Sequence, residues 1–308
     1  MKGIRYYSKG TYEQTAFKIS QGNFSHCLAS EKGVEIVKDV ISKGTMGYIH
    51  CISKPDDFDF VYILKGELLL HNLEEGLFLK AGDYYLVDNL FQDLLYTALE
   101  DTELLYMANG MNYQSVSTEF QCLLDILLEL QSADGDTLDH CERVKNLCMG
   151  IAYCLKYDAT ELGKLFMAAR VHDVGKANIP RDILLKPGRL TDEEYEIMKM
   201  HSIYTYEMLR EQLGEDIANI AHGHHERLDG NGYPNRLSGD QISMASRIIC
   251  VADAYDAMTV TRPYRKGLDR KEAITELRRC QDTQFDPIVV SALELFLKKE
   301  EALLYRPI

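Results

Sequence analysis

"RVHDVGKANIP", Arg170 to Pro180, follows an apolar run closing on Ala168 and Ala169 and presents His172, Asp173 and Lys176 in quick succession. His172 and Lys176 are four apart, a helical spacing that aims the ammonium toward whatever His172 binds. A single buried histidine is usually a satisfied core residue, so the stretch gains meaning only if partners exist elsewhere. Six of the nine histidines lie between His140 and His225, and they arrive with carboxylates. Asp136 and His140 share a helical face at i, i+4. His201, the "HGHHE" run with His222, His224 and His225, and Asp253 in "VADAYDAM" follow. Imidazoles and carboxylates on several separate helices, without thiolates, describe a first-row divalent metal site of a hydrolytic kind.

The surrounding chain divides in two. At 308 residues with 46% hydrophobic and 27% charged residues it has the mix of a soluble globular protein long enough for two domains. The first 110 or so residues repeat short apolar stretches, "FVYILKGELLL", "GLFLKAGDYYLV", "DLLYTAL" and "ELLYMA", punctuated by Lys65-Gly66, Glu75-Gly76 and Ala81-Gly82-Asp83. Regular strands between turn signals predict a small sandwich or barrel. In "STEFQCLLDILLELQS", Phe120, Leu123, Leu124, Leu127 and Leu130 recur at helical spacing after a Ser115 or Ser117 cap. That segment reads as a helix packed on its own domain or as a parallel dimer helix coupling the domains. From about residue 133 the pattern is strongly helical, with a capping box at Thr191 and Glu194. The expected fold class is α+β multidomain: β-barrel over 1–112, connector helix over 113–133, and all-α domain over 134–308.

Charge and cysteine usage narrow the function. A net charge of −14 repels long nucleic acid but admits a small anion where metal ions supply local positive charge. Eight cysteines without a CxxC pair read as reduced thiols. No apolar run approaches the roughly 18 residues of a membrane span, and the start "MKGIRYYSKGTYEQ" lacks a signal-peptide core. A cytoplasmic, non-membrane protein is expected. His26, His50, His71 and His222 are read as ordinary core, surface or supporting histidines.

Two resemblances sharpen these readings. "YILKGELLL" followed by "LKAGDYYLV" resembles the cupin family, a double-stranded β-barrel, over about 80 residues. The region "DDFDFVYILKG" lacks the histidine pair and glutamate of metal-dependent cupins, and "VDNLFQDLLY" lacks the later histidine, so a sensory or dimerising barrel without catalysis is implied. "HCERV", "HDVGKANIPRDILLKPGRLTDEEYEIMKMH", "HHERLDGNGYP" and "ASRIICVADAYDAMTVTRPYR" resemble the HD-GYP branch of HD-domain phosphohydrolases, over roughly residues 115–300. That resemblance implies an all-helical domain whose two or three divalent metals, iron foremost and manganese next, cleave cyclic di-GMP to pGpG or GMP through a water bridging the metals. His140, His172, Asp173, His201, His224, His225 and Asp253 match its metal ligands, with Asp173 as the bridging carboxylate. Asp136 stands where three-metal members carry a glutamate, which leaves the third ion open. Lys176 matches the lysine on the scissile phosphate. Asp256, Arg262 and Arg265 match contacts to the dinucleotide, and Tyr233 belongs to the GYP element lining the site. The implied partners are cyclic di-GMP, a second copy of the chain, and a signalling protein at the GYP face. A receptor that binds without turnover, and an HD hydrolase acting on another cyclic dinucleotide or nucleotide, are the alternatives.

Overall fold

The computed structural model describes residues 16–20, 23–31, 33–49, 58–71, 76–87, 94–109, 113–261 and 266–304. The chain forms two compact units, Met1–Gln121 and Cys122–Ile308. This division falls inside the segment read as a connector.

Among the described residues the first unit has ten strands: β1 (Ala16–Ser20), β2 (Asn23–Glu31), β3 (Val34–Ile41), β4 (Met46–Ile49), β5 (Asp59–Lys65), β6 (Glu67–Leu70), β7 (Leu77–Lys80), β8 (Tyr84–Val87), β9 (Leu94–Ala98) and β10 (Thr102–Asn109). They make two antiparallel sheets, ordered β1-β2-β3-β10-β5-β8 and β4-β9-β6-β7. Period-two alternation turns Asp59, Val61 and Ile63 of β5 inward, where Val61 and Ile63 meet Leu68, Leu70, Leu79, Val87 and Leu104 in one apolar core. The "KGE" motif is the corner at which the chain passes from one sheet to the other. Gly66 there has φ +86, and a Cβ would lie 2.5 Å from Thr102 Oγ1 and 2.6 Å from the Asp101 carbonyl oxygen. His71 bonds Thr97 Oγ1 through Nε2 at 2.7 Å, and His26 stacks on Phe24. His50 lies outside the described residues.

Helix α1 (Tyr113–Asp134) crosses the division, so Ser115 and Ser117 lie within it instead of capping it. Its Leu123, Leu124, Leu127 and Leu130 are buried within the single chain, each worth roughly 2 kcal/mol. That stripe is therefore not left open for a second copy. The helical unit continues with α2 (Thr137–Leu155), α3 (Ala159–Val171), α4 (Arg181–Leu184), α5 (Asp192–Gln212), α6 (Glu215–His222), α7 (Met244–Thr259), α8 (Arg270–Arg279) and α9 (Pro287–Leu304). Thr191 and Glu194 do form the capping box that starts α5. Beneath the site, Glu142 of α2 binds Arg170 at 2.8 Å and Lys145 at 3.1 Å, all three buried, which ties α2 to the end of α3. Among the described residues no helix is long and apolar enough to cross a membrane.

Candidate metal centre

The helical run before His172 stops at Val171, and a 3-10 turn (Val174–Asn178) follows. His172 and Asp173 thus occupy a helix end, and Lys176 reaches Asp173 at i, i+3 and not the ligand of His172: its Nζ donates to Asp173 Oδ2 at 2.6 Å. The turn is pressed against α5 by Gly175, whose added Cβ would meet the His201 carbonyl oxygen at 2.1 Å. Thr205 locks the contact, accepting from the Gly175 N–H and donating to the His172 carbonyl, both at 3.0 Å. On α5, His201, Thr205 and Leu209 are buried at i, i+4, i+8, so one stripe supplies both the histidine and the clasp.

The side chains converge in two groups, His201 with His224 and His225, and His140 with His172 and Asp173. Asp173 stands between them. Its Oδ1 is 3.5 Å from His201 Nε2, and its Oδ2 is 3.6 Å from His172 Nε2 and 3.7 Å from His140 Nε2. Asp253, on α7, approaches His140 Nε2 at 3.2 Å.

Three histidines share one local device. The Nδ1 of His172, His201 and His224 donates to a carbonyl three residues back, on Ala169, Met198 and Ala221, at 2.8, 2.7 and 2.5 Å. The proton is thereby held on Nδ1, and each Nε2 is buried with no hydrogen-bond partner among the described residues. Buried acceptors are ordinarily satisfied, and three orphans, two of them within 3.6 Å of the Asp173 carboxylate, form the donor set of a divalent cation. Burial pushes all three imidazoles below their ordinary range, and with His201 beside it lowers His225 to about 3, so they offer lone pairs near neutrality. Burial alone would raise the Asp173 carboxyl, but Lys176 and the imidazoles hold it well below the usual range.

His140 differs. Its Nδ1 binds a carboxylate, Asp256 Oδ2, at 2.7 Å. Burial opposes its charged form, and the bonds to Asp253 and Asp256 outweigh this, raising it to about 9. Asp256 was expected on the substrate. It is instead buried, with Oδ1 taken by Arg143 Nε at 2.7 Å and Oδ2 shared between His140 and Arg143, because α2 and α7 press these groups together. Asp136 was expected beside His140 on one helix face. It precedes α2 as its N-cap residue with φ −139, outside the helical geometry, and its carboxylate accepts from Arg143 at 2.9 Å. It joins neither histidine group. His222 also stands apart, against Tyr206 with ring centroids 4.9 Å apart. Arg262 and Arg265 lie outside the described residues.

A cleft of about 760 Å³ opens beside His224, His225 and Asp253. Tyr233 forms part of its wall, its ring centroid 4.7 Å from that of His225 and Lys199 Nζ 5.6 Å from its own. Gly232 makes this approach feasible, since a Cβ would fall 2.5 Å from the Arg227 nitrogen. Glu226 accepts the N–H groups of Asn235 at 2.7 Å and Leu237 at 2.9 Å. Thr205, Lys199 and Arg236 escaped the sequence reading. The i, i+4 spacing from His201 was a signal for Thr205, whereas nothing local marks the other two.

Residues 127–289 match the HD domain family. The chain is 38% identical over 178 residues to the cyclic di-GMP phosphodiesterase response regulator RpfG of Xanthomonas campestris pv. campestris, covering 57% of this chain and 47% of that one. It is 39% identical over 200 residues to a cyclic di-GMP phosphodiesterase of Thermotoga maritima, covering 61% and 53%. It is 35% identical over 167 residues to 3'3'-cGAMP-specific phosphodiesterase 1 of Vibrio cholerae, covering 52% and 39%. The chain spans about half the length of these relatives or less. Among solved structures, KdgF from Halomonas sp. is similar with a TM-score of 0.30 and 14% identity, covering 35% of this chain and 96% of that one. With the histidine–aspartate cluster on its helices and the "HDVGK" and "HHERLDGNGYP" segments in its sequence, the chain belongs to the HD domain family, in its HD-GYP branch.

Proposed function

We propose that the helical unit is a metal-dependent phosphodiesterase cleaving cyclic di-GMP to pGpG, GMP or both, and that the β unit is its sensory or dimerising partner. The observation that carries this reading is the set of three buried, unpartnered Nε2 atoms, two of them within 3.6 Å of Asp173, beside an open cleft. His140, His172, Asp173, His201, His224, His225 and Asp253 would hold two or three ions, iron first and manganese second, and the pairing of Asp136 with Arg143 supports two. Such ions, when bound, supply a water of lowered pKa and positive charge at the phosphate oxygens. Lys176 adds an ammonium where the phosphate gains negative charge. Tyr233 offers a flat wall for a base or ribose.

A second reading, 3'3'-cGAMP as substrate, draws on the relatives from Vibrio cholerae whose names carry that specificity. Protein purified anaerobically with Fe(II) or Mn(II) is to be assayed for metal content, and its products on both dinucleotides separated by chromatography. Faster release of pGpG or GMP from cyclic di-GMP supports the first reading, and preference for cGAMP the second. Binding of either dinucleotide without cleavage would leave a receptor in place of an enzyme.

A further inference from the structure

Arg236 follows the Tyr233–Pro234 pair by two residues and lines the same cleft as His224, His225 and Asp253. Its backbone has φ +56, in the left-handed region that side chains bearing a Cβ rarely adopt. The segment is held there from beneath. Glu226, buried to 2% exposure and adjacent to His225 in the chain, accepts the N–H groups on both sides of Arg236, those of Asn235 and Leu237. An unfavourable conformation fixed by a buried anchor next to a site is a reason to look for function.

Charge isolates the same residue. Lys199 is paired with Glu196 at 2.5 Å, and Arg227 with Asp229 at 2.8 Å and Gln284 at 2.7 Å. Lys176 is held on Asp173. Arg236 is exposed and has no ion pair or hydrogen bond among the described residues. In a chain of net charge −14, an uncommitted guanidinium on the cleft wall gives an anion a place to settle.

We propose that Arg236 receives the second, unreacted phosphodiester of a cyclic dinucleotide whose first phosphodiester lies at the histidine–aspartate cluster. This rests on the reading of the preceding subsection. A cyclic dinucleotide presents two phosphates across one ring, so a site that fixes one at the cluster gains orientation from a cation for the other. The guanidinium fork matches two non-bridging phosphate oxygens.

The test is Arg236→Gly, which removes the fork and relieves the left-handed strain together. Kd and KM for cyclic di-GMP and 3'3'-cGAMP are measured on manganese-loaded protein, with metal content and Tm. The expected result is weakening by about tenfold to a hundredfold for both ligands, the range of one charge-assisted contact. Metal content stays unchanged and Tm is equal or higher, and Arg236→Lys recovers part of the loss. Unchanged Kd in Arg236→Gly overturns the assignment while leaving the phosphodiesterase reading intact. Weakening confined to one dinucleotide overturns it in favour of base readout, and weakening with a lowered Tm overturns it in favour of a structural arginine. Wild-type protein that binds neither ligand overturns the phosphodiesterase reading, and this inference with it.

Discussion

Replacing Gly175 by alanine is expected to dismantle the centre without touching a ligand. The new Cβ would lie 2.1 Å from the His201 carbonyl oxygen, 2.4 Å from the Thr205 nitrogen and 2.7 Å from Thr205 Oγ1. The first two are helix backbone atoms and cannot swing aside. Bringing 2.1 Å to the 3.4 Å of ordinary contact moves the turn and α5 apart by about 1.3 Å. The two Thr205 hydrogen bonds, at 3.0 Å, do not survive that separation. At about 1 kcal/mol each, with about 1–3 kcal/mol for overpacking, the loss comes to roughly 3–5 kcal/mol. His201 and Asp173 would be displaced from each other by far more than the roughly 0.2 Å that metal–ligand distances tolerate. Urea unfolding and metal analysis on the variant check both halves. Wild-type stability together with wild-type metal content would refute the argument.

Asp173→Ala removes the carboxylate between the two histidine groups and is expected to abolish both metal retention and turnover, whereas Lys176→Ala spares metal and lowers rate; elemental analysis beside single-turnover kinetics separates them. Arg143→Ala strips the fork from the buried Asp256 carboxylate and is expected to cost about 1–2 kcal/mol, moderated because the guanidinium is 35% exposed, with partial recovery in Arg143→Lys, as read by denaturant unfolding. In the β unit, burial raises the Asp39 carboxyl to about 6 against the opposing bond from Ser25. A raised carboxyl stabilises the fold most below its unfolded value of 3.8, and that contribution fades as pH rises through about 6. The β unit should therefore lose about 2 kcal/mol between pH 4 and 7, a slope that Asp39→Asn removes when thermal midpoints are compared across pH.

Local chemistry explains what could be read directly. The "KGE" and "AGD" corners declare where strands end because their glycines take φ +86 and +97. The Thr191–Glu194 box declares where α5 begins because both of its bonds close within four residues. The clustering of imidazoles and carboxylates was legible because few other tasks bring six histidines and several aspartates onto separate helices. Long-range pairing was not legible. Asp256 and His140 are 116 positions apart, and nothing in "DAYDAM" says that its second aspartate turns away from the cleft toward Arg143. Asp136 was misread because i, i+4 spacing implies a shared face only inside a helix, and the helix begins one residue later.

By itself the sequence determined the two-part architecture and the imidazole–carboxylate donor set, since alternation, turn residues and ligand chemistry are properties of neighbours along the chain. Only the tertiary structure decided how that set is used. Helix packing through Gly175 and Thr205 brings His201 over Asp173, the contact of α2 with α7 commits Asp256 to His140 and Arg143, and the anchor at Glu226 turns Arg236 to the cleft. The first two join groups distant in sequence and the third folds a loop back on itself, and all three distances follow from how the helices and loops pack.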